Sequence, residues 1–195
     1  EFKRVYGEIQ PIDATRIIEA PDDSRIDLNG RSLLFIDTPG HARHHNCIYD
    51  ERSRSFFTGD TFGVSYRELD VDGMEFVFPT TSPVQFDPDA AHASLDRIMS
   101  YAPHYAYLKH YSRIGHLTHH AESMHYLIDA HVDIAQRAKD ASENRQTIIS
   151  EALRALLMQR LSEHGCQLPQ TEINSLLRSD ITLNTQGLIH WLDHP

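Results

Sequence analysis

At 195 residues the chain is long enough to bury a core as one domain, or as one domain with an appendage. Its hydrophobic share of 40% and charged share of 24% are ordinary for a globular protein, and apolar runs such as Ala155-Leu156-Leu157-Met158 are far too short to span a bilayer. A formal net charge of −10 with only 18 Lys+Arg argues against a nucleic-acid partner, because phosphate binding needs clustered cations.

Cys47 and Cys166 form neither a Cys-x-x-Cys pair nor a disulfide framework, which points to a reducing cytoplasm, and the short apolar runs give no expectation of a membrane partner. The opening Glu1-Phe2-Lys3-Arg4 has no initiator Met and no apolar signal core, and reads as the start of a piece cut from a longer chain, within a loop before Ile9. Fourteen histidines are a high count and direct attention to metal chemistry.

In chain order, residues 1–65 read as β-rich. Arg16-Ile17-Ile18-Glu19 and Ser32-Leu33-Leu34-Phe35-Ile36-Asp37 are strand-length apolar runs flanked by turn residues. Asn46-Cys47-Ile48-Tyr49-Asp50 and Ser55-Phe56-Phe57-Thr58 flank a polar tetrad and predict a hairpin with a four-residue loop. Residues 62–86, including Pro79 and Pro83, have no clear period and read as a long packed loop. Asp87-Pro88-Asp89 is a helix start, with an N-cap acid and a proline at the first helical position. Ala91, Leu95, Ile98 and Met99 then keep helical spacing until Pro103.

Tyr105-Ala106-Tyr107-Leu108 reads as a strand. Beyond it the character turns helical. Leu117, Ala121, Met124 and Ile128 form one stripe; Ile149, Leu153, Leu156 and Leu157 form a second, closed by Gly165 and Pro169; a last helix is expected after Asn184. The organisation is therefore a β/α region over residues 1–115, mainly one antiparallel sheet with the helix from Pro88 packed on it, followed by an all-helical region over residues 116–195.

Three motifs carry the chemistry. Thr38-Pro39-Gly40-His41, Thr58-Gly59-Asp60 and Leu108-Lys109-His110 each place a metal-ligand side chain where a strand gives way to a loop. Pro39-Gly40 permits a tight turn that can hold an imidazole rigidly at the mouth of a sheet. A carboxylate such as Asp60 can bridge two cations, one per oxygen. Taken singly, each motif also has a plain reading: a turn histidine, an Asx turn, a loop histidine. His44 and His45 read as supports for the site, and His119, His120 and His125 as a solvated helix face. Phe62, Tyr66, Phe76 and Phe78 could wall a substrate pocket, although core is the commoner use of such a cluster.

In this order and spacing the three motifs resemble the second half of the metallo-β-lactamase superfamily, in particular its glyoxalase-II-like hydrolases. The specific resemblance covers about residues 8–113 and continues more loosely into the helical tail. It implies the C-terminal half of a four-layer αββα sandwich, with His41 on a first metal, Asp60 as catalytic bridge and His110 on a second. The ions would be zinc, with iron or manganese as alternatives, and the enzyme would hydrolyse an ester, thioester or lactone/lactam-type small molecule.

The family's His-x-His-x-Asp-His loop is absent from the sequence. The chain alone is therefore expected to be inactive, and to need a missing N-terminal half or to pair as a homodimer through its exposed sheet or helical tail. A non-catalytic interaction module and a diiron redox enzyme of the same fold are the alternatives.

Overall fold

The computed structural model describes residues 7–8, 10–81, 84–110, 112–141 and 143–194. The loop start before Ile9 and the place of Pro83 lie outside them. The strands are β1 (Ser24–Asp27), β2 (Ser32–Asp37), β3 (Asn46–Asp50), β4 (Ser55–Gly59), β5 (Val64–Ser65), β6 (Val77–Phe78), β7 (Tyr105–Leu108) and β8 (Arg113–Ile114). The helices are α1 (Pro88–Ser100), α2 (Leu117–Arg137), α3 (Arg145–His164) and α4 (Gln170–Asp193).

Six strands form one sheet in the order β1-β2-β3-β4-β7-β8. All neighbours are antiparallel except β4 and β7, which run parallel because α1 returns the chain to the same end. Residue alternation then decides the two faces. Leu34, Ile36, Cys47, Tyr49, Phe56 and Ala106 point to one side and are buried beneath the helices. Tyr101, just past α1, packs its ring on Tyr49 and Phe56 with centroids 5.1 and 5.5 Å away. On the other side Phe35, Ile48, Phe57 and Tyr107 sit opposite one another across four strands. No element among the described residues covers this row. Phe57 is 47% exposed, and its ring stacks on Tyr107 at 5.1 Å.

The helix start at Asp87 has the anticipated form: its carboxylate accepts the Ala90 N–H at 3.0 Å, and Pro88 begins α1. The stripe Leu117, Ala121, Met124 and Ile128 is buried along α2, and Gly165 ends α3 in the left-handed conformation.

Four expectations change. Ala14–Arg16 is a 3-10 turn, and Ile17 and Ile18 are exposed, so that run is not a strand. The stretch after residue 62 is not all loop, because Val64–Ser65 and Val77–Phe78 pair as a second, two-stranded sheet. The last helix begins at Gln170, fourteen residues before Asn184. His120 is 2% exposed and His131 fully buried, so α2 does not present its histidines as a uniformly solvated face.

The change of character near residue 115 marks a change of secondary structure and not a gap in packing. One hydrophobic core runs from Leu34 and Ile36 through Phe78 and Leu95 to Leu153 and Leu188. Among the described residues no helix is long and apolar enough to cross a membrane.

Candidate metal centre

His41 sits at the end of a loop whose shape leaves little freedom. Gly40 has φ +133°, and a Cβ there would meet the Ala91 backbone at 2.5 Å. The Gly40 carbonyl accepts the Asp87 N–H at 2.8 Å, and Pro39 O accepts the Ser94 hydroxyl at 2.6 Å, so the loop is riveted to the start of α1. The His41 ring donates from Nδ1 to Thr80 O at 3.2 Å. That bond places a proton on Nδ1 and turns Nε2 toward Asp60 Oδ2, 3.7 Å away.

Asp60 is buried just beyond the end of β4. Its two oxygens face different partners. Oδ2 faces His41 and accepts from Lys109 Nζ at 3.0 Å, while Oδ1 faces His110 Nε2 at 3.3 Å. The three residues singled out from sequence, 69 positions apart at the extremes, therefore converge on one carboxylate. Parallel pairing of β4 with β7 brings Gly59 and Leu108 alongside, and with them Asp60 and His110, while the antiparallel β2-β3-β4 order and the Thr80 carbonyl bring in His41.

His45 supports the cluster from behind. Its Nε2 accepts the Asp60 backbone N–H at 3.0 Å, so the proton lies on Nδ1, which reaches Thr61 Oγ1 at 2.9 Å and Thr38 Oγ1 at 3.2 Å. Burial, and then the neighbouring His41, lower the His45 pKa and favour this neutral form. Gly59 makes room for the ring, because a Cβ there would lie 2.5 Å from His45 Nε2. Beneath it Cys47 is buried against Thr38, with its thiol pKa pushed up to about 11 by burial; it is an inert packing residue.

Two clefts of about 390 and 310 Å³ meet at His41, Asp60 and Lys109. Tyr66 lines the second cleft and donates to Asp180 Oδ2 at 2.8 Å; burial raises the pKa of both groups. Phe62 does not line this cleft: with 0% exposure it is core, as are Phe76 and Phe78. His44 is exposed on the rim of the first cleft. Lys109 and Asp180 were not anticipated as site residues. Lys109 adjoins His110, a signal within reach of the sequence, whereas Asp180 arrives from a helix 120 positions after Asp60 and carries no local signal.

The donor set suits divalent cations: two imidazoles, one with its Nδ1 proton held by a backbone carbonyl, and a carboxylate addressed from both sides.

Comparison with known proteins agrees with this chemistry. Residues 3–127 match the model of the metallo-beta-lactamase superfamily. The chain is 36% identical over 81 residues to the metallo-beta-lactamase fold-containing protein ST1585 of Sulfurisphaera tokodaii, covering 41% of this chain and 28% of that protein. The crystal structure of ST1585, described as an archaeal metallo-beta-lactamase superfamily protein, superposes with a TM-score of 0.55 at 26% identity, over 96% of this chain and 58% of its own. A beta-lactamase domain protein from Burkholderia ambifaria shares the fold at 13% identity, with a TM-score of 0.57 over 98% of this chain and 50% of its own. The chain thus spans only about half the length of the solved relatives it matches, and by sequence and fold it belongs to the metallo-beta-lactamase superfamily.

Proposed function

We propose that the chain forms the metal-binding C-terminal part of a hydrolase acting on an ester, thioester or lactone/lactam-type carbonyl in a small molecule. The observation that carries this reading is Asp60, with His41 beside one oxygen and His110 beside the other at 3.7 and 3.3 Å. A carboxylate so placed suits a bridge between two divalent ions, zinc in the first instance and iron or manganese as alternatives. When bound, such ions supply a hydroxide near neutral pH and polarise the carbonyl under attack. His41 presents Nε2 to the first position because Thr80 holds its Nδ1–H. His45 keeps the Asp60 backbone in place, and Tyr66 with Asp180 forms the polar wall on the substrate side.

Three donors leave each ion with two protein ligands, below the three that a catalytic zinc site keeps. Further ligands therefore come from a complementary half. The uncovered row Phe35, Ile48, Phe57 and Tyr107 suits its seat. Plasma emission analysis after dialysis, together with an esterase assay, tests this. In the 195-residue chain alone, zinc content and turnover should be unaffected by Asp60→Ala. In a longer chain or complex that restores the missing ligands, two further equivalents should be held, and Asp60→Ala should abolish turnover. Two tight equivalents in the chain alone, with turnover lost in Asp60→Ala, would show it to be self-sufficient.

A further inference from the structure

A second group of ligand-bearing side chains lies outside the cluster at Asp60 and shares no residue with it. Glu75 stands two residues before β6 and is buried, with 9% exposure. One of its oxygens, Oε1, accepts the Gly115 N–H at 2.9 Å. The other, Oε2, is faced by His120 Nε2 at 3.2 Å and by His116 Nδ1 at 3.5 Å. One ligand atom from each residue lies within 4.8 Å of the other two. His116 is the left-handed residue that precedes α2 and His120 lies in the helix's first turn, and both face the same Glu75 oxygen. His120 is buried, and the His116 side chain is 55% exposed, so the group is closed on one side and open on the other.

These separations agree with a shared cation. Around a tetrahedral zinc ion with bonds of ~2.0–2.1 Å, neighbouring donor atoms stand about 3.3 Å apart. The Glu75 oxygen lies 3.2 and 3.5 Å from the two nitrogens. Both imidazoles converge on the same carboxylate oxygen, as three donors to one ion would. Two histidines and a carboxylate, with no cysteine, select zinc or a neighbouring first-row divalent ion over calcium or magnesium.

We propose that Glu75, His116 and His120 bind one zinc-class ion, with a fourth position open to water on the His116 side. The ion would clip the loop before β6 to the start of α2, and this assignment stands whether or not the chain is part of a hydrolase.

Zinc alone, added to the chelator-stripped 195-residue chain, provides the test. A variant carrying His41→Ala, Asp60→Asn and His110→Ala removes the first cluster and should still bind one equivalent and gain thermal stability with zinc. His116→Asn, chosen because asparagine tolerates the left-handed backbone at this position (φ 48°), should weaken that binding by about tenfold or more and abolish the zinc-dependent rise in Tm. Failure of the triple variant to bind zinc while folded, or unchanged binding in His116→Asn, would overturn the proposal. Should a variant fail to fold, ring 15N NMR of the unsubstituted chain decides the matter. Zinc must move the His116 Nδ1 and His120 Nε2 resonances, and unmoved resonances at saturating zinc refute the site.

Discussion

Histidine shows how far one residue type is divided by its surroundings. His41 is held by a carbonyl, His45 is kept neutral behind Asp60, and His110 is exposed beside it. His131 is fully buried; its Nδ1 donates to Leu127 O at 2.7 Å, and its Nε2 has no hydrogen-bond partner among the described residues. Burial lowers its pKa to about 4 from the ordinary 6.5. A histidine lowered in this way contributes stability above its unfolded pKa and loses it as pH falls, here between about 6.5 and 4, by about 3 kcal/mol. His45 and His120 are lowered in the same direction, and burial is the leading cause for each. His131→Leu should therefore flatten the fall in stability across that window by one proton, measured as urea midpoints against pH. An unchanged slope would show that His131 does not titrate in this range.

At the level of elements, α4 is set by its anchor more than by its propensity. Asn174, Ser175, Thr182, Asn184 and Thr185 are modest helix formers, yet the helix runs unbroken from Gln170 to Asp193. Asn184 explains much of this. Its side chain accepts the Thr81 N–H and donates to Pro79 O, both at 2.9 Å, and its own carbonyl accepts the Thr81 hydroxyl at 3.0 Å. These bonds tie α4 to the segment that also presents Thr80 to His41. Asn184→Ala strands two buried backbone groups and should cost about 2–5 kcal/mol in denaturant unfolding. A loss below about 0.5 kcal/mol would mean that water replaces the amide without difficulty.

For the whole molecule, the sheet has one covered and one uncovered face. Phe35, Ile48, Phe57 and Tyr107 form an apolar row that no described element covers. Exposed rows of this kind mark association surfaces. Absent a complementary half, the chain should self-associate through this row. Sedimentation equilibrium should find it larger than a monomer at micromolar concentration, and Phe57→Lys should return it to monomer without lowering Tm by more than a few degrees. A monomeric parent chain would remove the row as an interface between copies.

Much of this protein was legible in sequence wherever short-range physics decides. The hairpin around residues 51–54, the capped start of α1, the stripe on α2 and the glycine stop of α3 follow from turn chemistry, capping and periodicity over a few residues. The placing of His41, Asp60 and His110 in the loops just after β2, β4 and β7 was legible too, because turn residues mark where those strands stop. Long-range contacts decided the rest. Parallel pairing of β4 with β7 joined the Asp60 and His110 motifs, and the β2-β3-β4 pairing added His41. Pairing with Phe78 and Val77 made strands of Val64 and Ser65, where no local period appears. Asn184 found partners 103 and 105 positions away, which no window along the chain contains. Glu75 likewise reached His120 from 45 positions away and turned a residue expected in solvent into a buried one. A polar side chain looks the same in sequence whether it meets water or a distant partner, and only the packed fold supplies that partner.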